Sequence, residues 1–318
     1  MMKDIIYTEN LTKSYKGFHA VDHVSLRVKK GEIYGFLGLN GAGKTTTIRM
    51  MLGMIRPTSG TCYINGQQVS AGNHHVWEQV GYMVETPYAY PELTVKENLD
   101  ITMHLRQLEG RWKVARIMER LKLTPYEHKK AKHLSMGNAQ RLGIAKALLH
   151  EPGVLLLDEP ANGLDPAGIV EIRELLQELA YEKGTTIFIS SHILGEISKI
   201  ATKIGIIHEG RLIRELRKEE LQQQQIVRLL LKTRDSYAAA KVLRNDGYTI
   251  QRDEDGRLVT QDGYAVKNPD QLAKRLVEAD LPPTMLFVEE EDLESFFLRM
   301  IGEKGEDFHA STAPNYMG

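Results

Sequence analysis

Cysteine is nearly absent from this sequence of 318 residues, in which Cys62 stands alone. A single cysteine excludes an intramolecular disulfide and a metal site built from several cysteines, and it favours a reducing compartment. Long apolar runs are absent too: no stretch approaches the roughly 18 apolar residues of a membrane span, and residues 1–6 lack the apolar core of a signal peptide. We therefore expect a cytoplasmic chain, and work at a membrane would require another chain to cross it.

Neither sign of charge is in excess. The 41 Lys and Arg residues nearly balance the 42 Asp and Glu residues, which gives a formal net charge of -1. This balance provides no overall attraction to nucleic acid or to anionic lipid, so we expect no nucleic-acid partner. The chain does contain 42% apolar residues, enough for an ordinary hydrophobic core, and its length suggests about two domains.

A glycine-rich segment lies between the apolar run 33–37 and a stretch without helix breakers, 44–52. It reads GLNGAGKTT at 38–46 and fits the P-loop pattern Gly-x4-Gly-Lys-Ser/Thr, which joins a strand to a helix. Gly41 and Gly43 lack a Cβ atom, so backbone N–H groups can surround phosphate oxygens at the positive end of the helix. The segment therefore predicts a nucleotide phosphate site.

Polar side chains of the same segment complete the predicted site. We expect Lys44 to reach the β- and γ-phosphates, Thr45 to place its hydroxyl on Mg²⁺, and Thr46 to add a phosphate contact. Tyr15, ahead of the loop, could stack on adenine; the alternative for this ring is ordinary half-buried packing.

Two acids end the apolar run 154–157. Asp158 and Glu159 would then lie at the carboxyl end of a central strand, where we expect Asp158 to hold the metal and Glu159 to orient and polarise the attacking water. The alternative is a strand capped by a polar turn. His192 is the only one of the 11 histidines that follows a predicted core strand, 185–190, so it could contact a γ-phosphate or be a structural imidazole.

The rest of the first 217 residues predicts two subdomains around this core. Helical spacing of apolar residues predicts a helical insertion at about 88–150, in which Ser135 caps the helix that runs through Leu149. Short alternating runs predict a small antiparallel β subdomain and a few further strands. The predicted strands are 5–7, 24–28, 61–64 with a hairpin at Asn65-Gly66, 79–84, and a last small pair at 203–208 and 211–213.

A glutamine-rich joint at 222–225 suggests a domain boundary near residue 218. Beyond it, strands are predicted at 226–232, 248–252, 257–260 and 284–288, and helices at 236–246 and 270–279. This alternation indicates a ferredoxin-like α+β module over 218–302. Apolar residues from Leu293 to Ile301 form one stripe of an amphipathic helix, for which core packing or a dimer contact is expected, and 303–318 reads as a disordered tail.

Five motifs in order give the sequence a family resemblance. With the P-loop at Gly38, Ser135 and Gly137 in the segment LSMG, the pair Asp158-Glu159, the dipeptide Leu164-Asp165, and His192, the sequence resembles the ATP-binding subunit of an ABC transporter. The resemblance implies an α/β fold: a P-loop NTPase cassette with a mixed β-sheet core, a small antiparallel β subdomain and a helical insertion, here followed by the C-terminal module.

The resemblance also implies residue roles, with ATP and Mg²⁺ as ligands. Glu159 is the expected base, His192 the γ-phosphate sensor, and Ser135 and Gly137 contact the γ-phosphate bound by the other subunit, so a homodimer of cassettes is implied. The catalytic set is Glu159, His192 and Lys44, and the metal set is Thr45, Glu85 and Asp158. The nucleotide-binding set is Tyr15, Gly38, Asn40, Gly41, Gly43, Lys44, Thr45, Thr46, Ser135, Gly137 and Asp165.

Departures from the family pattern indicate which subfamily the sequence resembles. Most members carry Gln at the position of Glu85, and Met136 and Asn138 replace the Gly and Gln of the commonest signature. The segment 85–88, ETPY, and the ending LESFF at 293–297 resemble the cassettes of bacitracin and lantibiotic self-protection exporters. This resemblance implies export of a peptide antibiotic through separate multi-span permease subunits, with the cassette peripheral on the inner face of the cell membrane.

Two other classes share the P-loop. A soluble ABC-type ATPase that acts on ribosomes or DNA usually has two cassettes or a long coiled-coil insertion, whereas this chain has one P-loop and no sustained heptads. A P-loop kinase or GTPase gives no reason for Ser135, Gly137 and His192 to occur together. The first of these remains the alternative function.

Overall fold

The chain divides into two units between Lys218 and Glu219, and each unit is described by itself. The computed structural model describes residues 3–70, 75–253 and 255–309. The strands of the first unit are β1 (Asp4–Tyr15), β2 (Phe18–Val24), β3 (Arg27–Lys29), β4 (Ile33–Leu37), β5 (Ser59–Ile64), β6 (Gln67–Gln68), β7 (Val80–Met83), β8 (Val154–Asp158), β9 (Thr186–Ser191), β10 (Lys203–His208) and β11 (Arg211–Arg217). Its α-helices are α1 (Lys44–Met51), α2 (His75–Glu78), α3 (Val95–Leu105), α4 (Trp112–Arg120), α5 (Met136–Leu148), α6 (Pro166–Tyr181) and α7 (Leu194–Ile200).

Apolar runs without polar alternation build the central sheet of this unit. Every residue of β4, β8 and β9 is buried, as expected for strands covered on both faces. The six strands lie in the order β11-β10-β4-β9-β8-β7, and all neighbours are parallel except β10 and β11. The carboxyl ends of β4, β8 and β9 therefore lie at one edge, which places the P-loop, Asp158 and His192 near one another.

A second, antiparallel sheet has the order β2-β1-β5-β6, and β3 also pairs with β1. The predicted strands 5–7 and 24–28 were wrong in extent: β1 has 12 residues, and the second run divides between β2 and β3. Register shifts within β1 and the left-handed Asn10 (φ 49°) allow one strand to pair with several others. They also interrupt the alternation of buried and exposed side chains from which a strand is predicted. The Asn65-Gly66 hairpin is confirmed, with positive φ at both residues.

The predicted strand pair at 203–208 and 211–213 is confirmed, because β10 pairs antiparallel with β11. The prediction did not include that β10 also joins the central sheet in parallel to β4, with Ile206 opposite Leu37. His208 therefore also ends a strand of that sheet, and His192 is not unique in this respect. Local pattern could not show this, since the paired residues lie roughly 170 positions apart in the chain.

The helical insertion is present as predicted, with α3, α4 and α5 as its main helices. A capping box between Thr94 and Glu97 begins α3. The hydroxyl of Ser135 accepts a hydrogen bond from the Asn138 backbone N–H at 3.3 Å, so the predicted cap of α5 is confirmed. Within the described residues, no helix is long and apolar enough to cross a membrane.

The second unit contains a four-stranded antiparallel sheet in the order β13-β14-β12-β15. Helix α9 connects the first two strands and α11 the last two, which is the connectivity of a split βαβ arrangement. Its core holds Leu229, Leu231, Leu243 and Leu276. The elements are α8 (Lys218–Gln224), β12 (Val227–Thr233), α9 (Ser236–Asn245), β13 (Gln251–Arg252), β14 (Leu258–Thr260), α10 (Gly263–Lys267), α11 (Pro269–Glu278), β15 (Pro283–Glu290) and α12 (Leu293–His309).

The last helix corrects the prediction for the C-terminal end. Phe296, Phe297, Met300 and Ile301 are buried, so the apolar stripe packs in the core. The backbone of α12 continues to His309, although a disordered tail was predicted from residue 303. Extending an existing helix costs far less than starting one, so polar residues can prolong it. The remaining part of that prediction, 310–318, lies outside the described residues.

Candidate active site

The P-loop connects β4 to α1 through glycines whose conformations other residues rarely adopt. Gly41 and Gly43 have φ of 83° and 105°. A Cβ at Gly43 would lie 2.4 Å from the Ala20 carbonyl oxygen, whereas a Cβ at Gly41 would meet no atom within 4 Å. The loop backbone at Gly43 thus packs against the protein, whereas the backbone at Gly41 borders open space. Gly43 caps α1 without a side-chain bond, which leaves the first N–H groups of that helix available to an anion.

Lys44 is almost fully buried, with 6% of its surface exposed. Its ammonium group donates hydrogen bonds to the carbonyl oxygens of Gly38 at 2.7 Å and Leu39 at 3.2 Å. The same group lies 3.2 Å from Glu159 Oε1. That ion pair falls short of hydrogen-bond geometry, so Glu159 Oε1 is a buried acceptor without a donor. A buried cation held this way is placed to bind an anion at the loop.

A second cluster joins the start of α1 to the end of β8. Thr45 Oγ1 donates to Asp158 Oδ2 at 2.7 Å, and Ser190 Oγ donates to Asp158 Oδ1 at 2.5 Å. Ser190 Oγ also accepts the backbone N–H of Glu159 at 3.0 Å. Ser190 was not predicted from the sequence. It lies opposite Asp158 in the parallel pair β8 and β9, and this position could be used only if the two strands were known to be neighbours.

Glu159 adopts a left-handed conformation, with φ of 49°, directly after β8. Its Oε2 lies 2.8 Å from His192 Nδ1. An ionised carboxylate only accepts, so Nδ1 carries the proton and Nε2 of a neutral imidazole is left as an acceptor. The buried Gln140 amide donates to the Glu159 carbonyl at 3.1 Å and fixes this turn from α5. Strained backbone that is held by several bonds is typical of functional sites.

Glu196, on α7, lies in the same neighbourhood and was not predicted. Burial raises the pKa of its carboxyl, His192 lowers this pKa, and the charge of Glu159 adds to the increase. Glu159 and Glu196 line one cavity together with Ser190 and apolar side chains of α6 and α7. The lining of this cavity also includes the charged residues Arg173 and Lys199.

The predicted metal set fits a hard divalent cation in its chemistry. Thr45 and Asp158 present a hydroxyl and a carboxylate in direct contact, and oxygen ligands are those that Mg²⁺ prefers. No group of three or more His, Cys, Asp and Glu side chains suitable for a metal occurs in the part of the chain that the structure describes. Mg²⁺ is commonly held by one or two protein groups together with phosphates and water. Glu85, the third predicted ligand, instead forms an ion pair with Arg49 at 2.7 Å.

The remaining predicted residues lie in two other places. A Cβ at Gly137 would lie 3.1 Å from the Gly163 carbonyl oxygen, so the start of α5 contacts the turn that leads to Asp165. Asp165 caps α6 by accepting from the Gly168 N–H at 3.0 Å. Tyr15 is 48% exposed, with Lys13 Nζ 5.0 Å from its ring centre. The bonds recorded for Ser135 and Asp165 stay within their own helix starts and do not join the Lys44 cluster.

Comparison with known proteins agrees with this geometry. Residues 21–162 match a family described as "ABC transporter". The bacitracin transport ATP-binding protein BcrA of Bacillus licheniformis is 40% identical over 95% of this chain and 98% of that protein. The chain belongs to the ATP-binding proteins of ABC transporters. The protein of the same name from Enterococcus faecalis is 41% identical, over 96% of this chain and 99% of its own length.

Solved ABC cassettes share the fold of the first unit. The ATP-binding subunit of an ABC transporter aligns with a TM-score of 0.64 and 30% identity, over 69% of this chain and 92% of its own. The cassette MJ0796, in a dimeric post-hydrolysis state bound to ADP and Pi, aligns with a TM-score of 0.63 and 25% identity, over 67% and 99%. The chain is thus an ABC ATPase cassette with an additional C-terminal unit.

Proposed function

We propose that this cassette powers the export of a peptide antibiotic of the bacitracin or lantibiotic kind through a separate multi-span membrane permease. The observation that carries the proposal is the similarity to two bacitracin transport ATP-binding proteins over 95% and 96% of the chain. Both alignments are too long to be confined to the cassette and extend into the second unit. Many ABC cassettes share only the first unit, so similarity that includes the second unit is the more informative.

The proposed mechanism begins with phosphate binding at the P-loop. Backbone N–H groups of the loop and the ammonium group of Lys44 hold the nucleotide phosphates, while Asn40 and Thr46 add polar contacts. Thr45 and Asp158 would hold Mg²⁺, with Glu85 as the proposed third ligand, and the cation would neutralise charge that develops on the phosphates. Tyr15, half exposed, supplies the adenine platform.

Glu159 orients the attacking water and accepts its proton. Lys44 Nζ lies 3.2 Å from one oxygen of this carboxylate, and His192 fixes the direction of its second oxygen at 2.8 Å. The free Nε2 of His192 faces away from Glu159, so a proton on Nε2 would let the ring donate to a γ-phosphate oxygen while Nδ1 keeps its bond. In this mechanism Glu159 accepts the proton of water, and His192 senses the γ-phosphate.

Ser135, Gly137 and Asp165 are proposed to act on the nucleotide of a second copy of the chain. The side chains of Ser135 and Asp165 accept hydrogen bonds from their own helix starts, which supports this arrangement, as does the dimeric state described for the cassette MJ0796. A symmetric homodimer would contain two ATP sites, each with one P-loop and the partner's signature segment. ATP then holds the two cassettes together, and hydrolysis releases them.

A groove of about 570 Å³ is the proposed contact with the permease. Tyr88 and Leu105 line it and are 72% and 75% exposed. Lys146 donates to the Tyr88 carbonyl oxygen at 2.7 Å and so fixes the backbone of the groove wall. Exposed aromatic and aliphatic groups next to a rigid wall suit a helix supplied by a membrane subunit. The cassette would then lie on the cytoplasmic face of the membrane.

Antibiotic susceptibility tests the proposal directly. The gene is deleted in its native host and replaced by the wild type, by Glu159→Gln, or by Glu182→Gln, a control with the same charge change at the exposed end of α6. We expect deletion and Glu159→Gln to increase sensitivity to bacitracin or a lantibiotic, and Glu182→Gln to restore tolerance. Unchanged sensitivity to every peptide antibiotic, together with a translation or DNA-repair defect, would favour the alternative ATPase class.

A further inference from the structure

An ion pair connects the nucleotide helix to the wall of the groove. Arg49 Nη2 lies 2.7 Å from Glu85 Oε1, and the two side chains are 39% and 52% exposed. Both residues line the groove that contains Tyr88. The pair is therefore accessible to solvent and able to separate and re-form.

Arg49 lies on the face of α1 that carries Thr45. The two residues are four positions apart in a helix that spans Lys44–Met51, so their side chains are neighbours on the helix surface. Thr45 Oγ1 contacts Asp158 at 2.7 Å, and Arg49 contacts Glu85 one turn further along. One helix face thus meets the ends of two adjacent strands.

Glu85 and Glu159 occupy equivalent positions after the adjacent strands β7 and β8. In the parallel pair, Met83 lies opposite Leu157, so Glu85 and Glu159 are each two residues beyond that register point. Both are left-handed, with φ of 58° and 49°. A glutamate in this conformation is uncommon and is maintained only where its surroundings require it. Glu85 is therefore held at the same sheet edge as Asp158.

We propose that Arg49 is a positioning residue that competes with the nucleotide-bound divalent cation for the carboxylate of Glu85. Arg49 and the cation are both positive, so each disfavours the other as a simultaneous partner of one carboxylate. With the cation bound, Glu85 would leave Arg49, and residues 85–88, which line the groove, would lose this ion pair to α1. The inference rests on the proposed function, in which Glu85 serves the nucleotide site.

The identity of residue 85 is what makes this competition possible. A glutamine would accept only a neutral hydrogen bond from Arg49, whereas the carboxylate forms a charge-assisted pair. The substitution of Glu for the commoner Gln therefore adds a connection between the cation and the groove. Arg49 would have little influence on the cation in a chain with glutamine at this position.

A double-mutant cycle tests the competition through binding. Full-length protein carrying Glu159→Gln, in which turnover is blocked, is titrated calorimetrically with ATP at a series of MgCl2 concentrations. Arg49→Met, Glu85→Gln and the double variant are compared, because Met keeps the apolar stem of Arg without its charge. Arg116→Met is the control, since it breaks an exposed ion pair with Glu151 in the helical insertion.

With Glu at position 85, Arg49→Met should lower the Mg²⁺ concentration that gives half-maximal ATP affinity by about two- to fivefold, the range expected for an exposed pair. In the Glu85→Gln background the same change should have no measurable effect. Arg49→Lys, which keeps the charge, should restore most of the wild-type Mg²⁺ dependence. Arg116→Met should leave it unchanged.

Three outcomes would overturn the inference alone. An equal effect of Arg49→Met in both backgrounds would show a general charge effect, and an increased Mg²⁺ requirement would show that Arg49 supports the cation. No effect in the Glu background would remove the coupling altogether while leaving the proposed function intact. Failure of the Glu159→Gln protein to bind ATP at any Mg²⁺ concentration would overturn both.

Discussion

The two units use their sheets in different ways. In the first unit, buried parallel strands end together, and polar groups converge where they end: Lys44, Asp158, Glu159 and His192 are joined by contacts of 2.8–3.2 Å or through Thr45 and Ser190. In the second unit, the strands are antiparallel, so neighbouring strands end alternately at opposite edges of the sheet. Some of its charged pairs, such as Arg275 with Asp246, lie on the surface, whereas Arg299 with Glu291 is partly buried.

This difference shows why the chemistry belongs to one unit. A parallel sheet aligns the ends of several strands, the turns after them, and the positive end of a helix at one edge. In an antiparallel sheet only every second strand ends at a given edge. The comparison predicts that changes at the parallel edge affect catalysis or folding strongly, and that loss of the second unit leaves nucleotide binding unchanged.

The largest expected effect follows from Glu159→Gln. The amide cannot accept the proton of the attacking water, so ATP turnover should fall by about 10²- to 10⁴-fold. ATP affinity should remain, because the phosphate contacts come from the P-loop. Turnover assays and equilibrium binding measure the two effects, with Glu182→Gln as the matched control. Undiminished turnover would reject Glu159 as the base.

Gly43→Ala should be the most damaging change to the fold of the loop. The new Cβ would lie 2.4 Å from the Ala20 carbonyl oxygen at φ of 105°, so we expect a loss of about 2–4 kcal/mol in the free energy of unfolding and loss of ATP binding. Chemical denaturation and ATP titration measure these effects.

Gly184→Ala and Gly41→Ala distinguish the cost of backbone strain from the cost of the steric contact expected in Gly43→Ala. Gly184 has φ of 66° and open space around its Cβ position, so its variant should lose only about 1 kcal/mol and keep ATP affinity. Gly41→Ala should be similarly mild for stability but should weaken ATP binding, because its open side faces the predicted phosphates. Equal losses of stability in the Gly43 and Gly184 variants would contradict the contact argument.

His150 should make stability depend on pH in the first unit. Burial, with help from the charge of Arg106, lowers the pKa of His150 to about 4, although its bond to the Val80 carbonyl opposes this. The unfolded ring binds a proton near pH 6.5, so stability is complete above that pH and decreases as the pH falls toward 4. Full burial would give a loss of about 3 kcal/mol, which partial exposure reduces to roughly 1–2 kcal/mol.

Denaturation of wild type and His150→Gln at pH 7 and pH 5 measures this contribution. The difference in unfolding free energy between the two pH values should be smaller in the variant, because Gln does not titrate. An identical pH dependence would mean that His150 does not contribute.

The smallest expected effect belongs to the second unit. A chain truncated after Lys218 should bind ATP with unchanged affinity, because solved cassettes align with this chain over 92–99% of their own length without such a unit. Calorimetric titration of the truncated and full-length chains measures the difference. Loss of binding by a truncated chain with native circular dichroism would assign the second unit a direct role in the nucleotide site.

Sequence reading located the residues of the site better than their partners. The P-loop, Asp158-Glu159 and His192 could be recognised because each follows an apolar run, and the ends of parallel strands meet. Ser190, Gln140, Arg49 and Glu196 could not be recognised, since each matters through a neighbour distant in sequence. The same limit explains why the pairing of β10 with β4 was not predicted, since it depends on strand order and not on local pattern.

The sequence by itself determined the nucleotide chemistry, because glycine spacing, a lysine at a helix start and acids at a strand end act locally. It also determined the helical insertion, since apolar periodicity is a local property. Only the tertiary structure decided which side chains meet: Lys44 with Glu159, Ser190 with Asp158, and Arg49 with Glu85. The physical reason is that a contact between distant residues depends on strand order and register, which arise from the packing of the whole sheet.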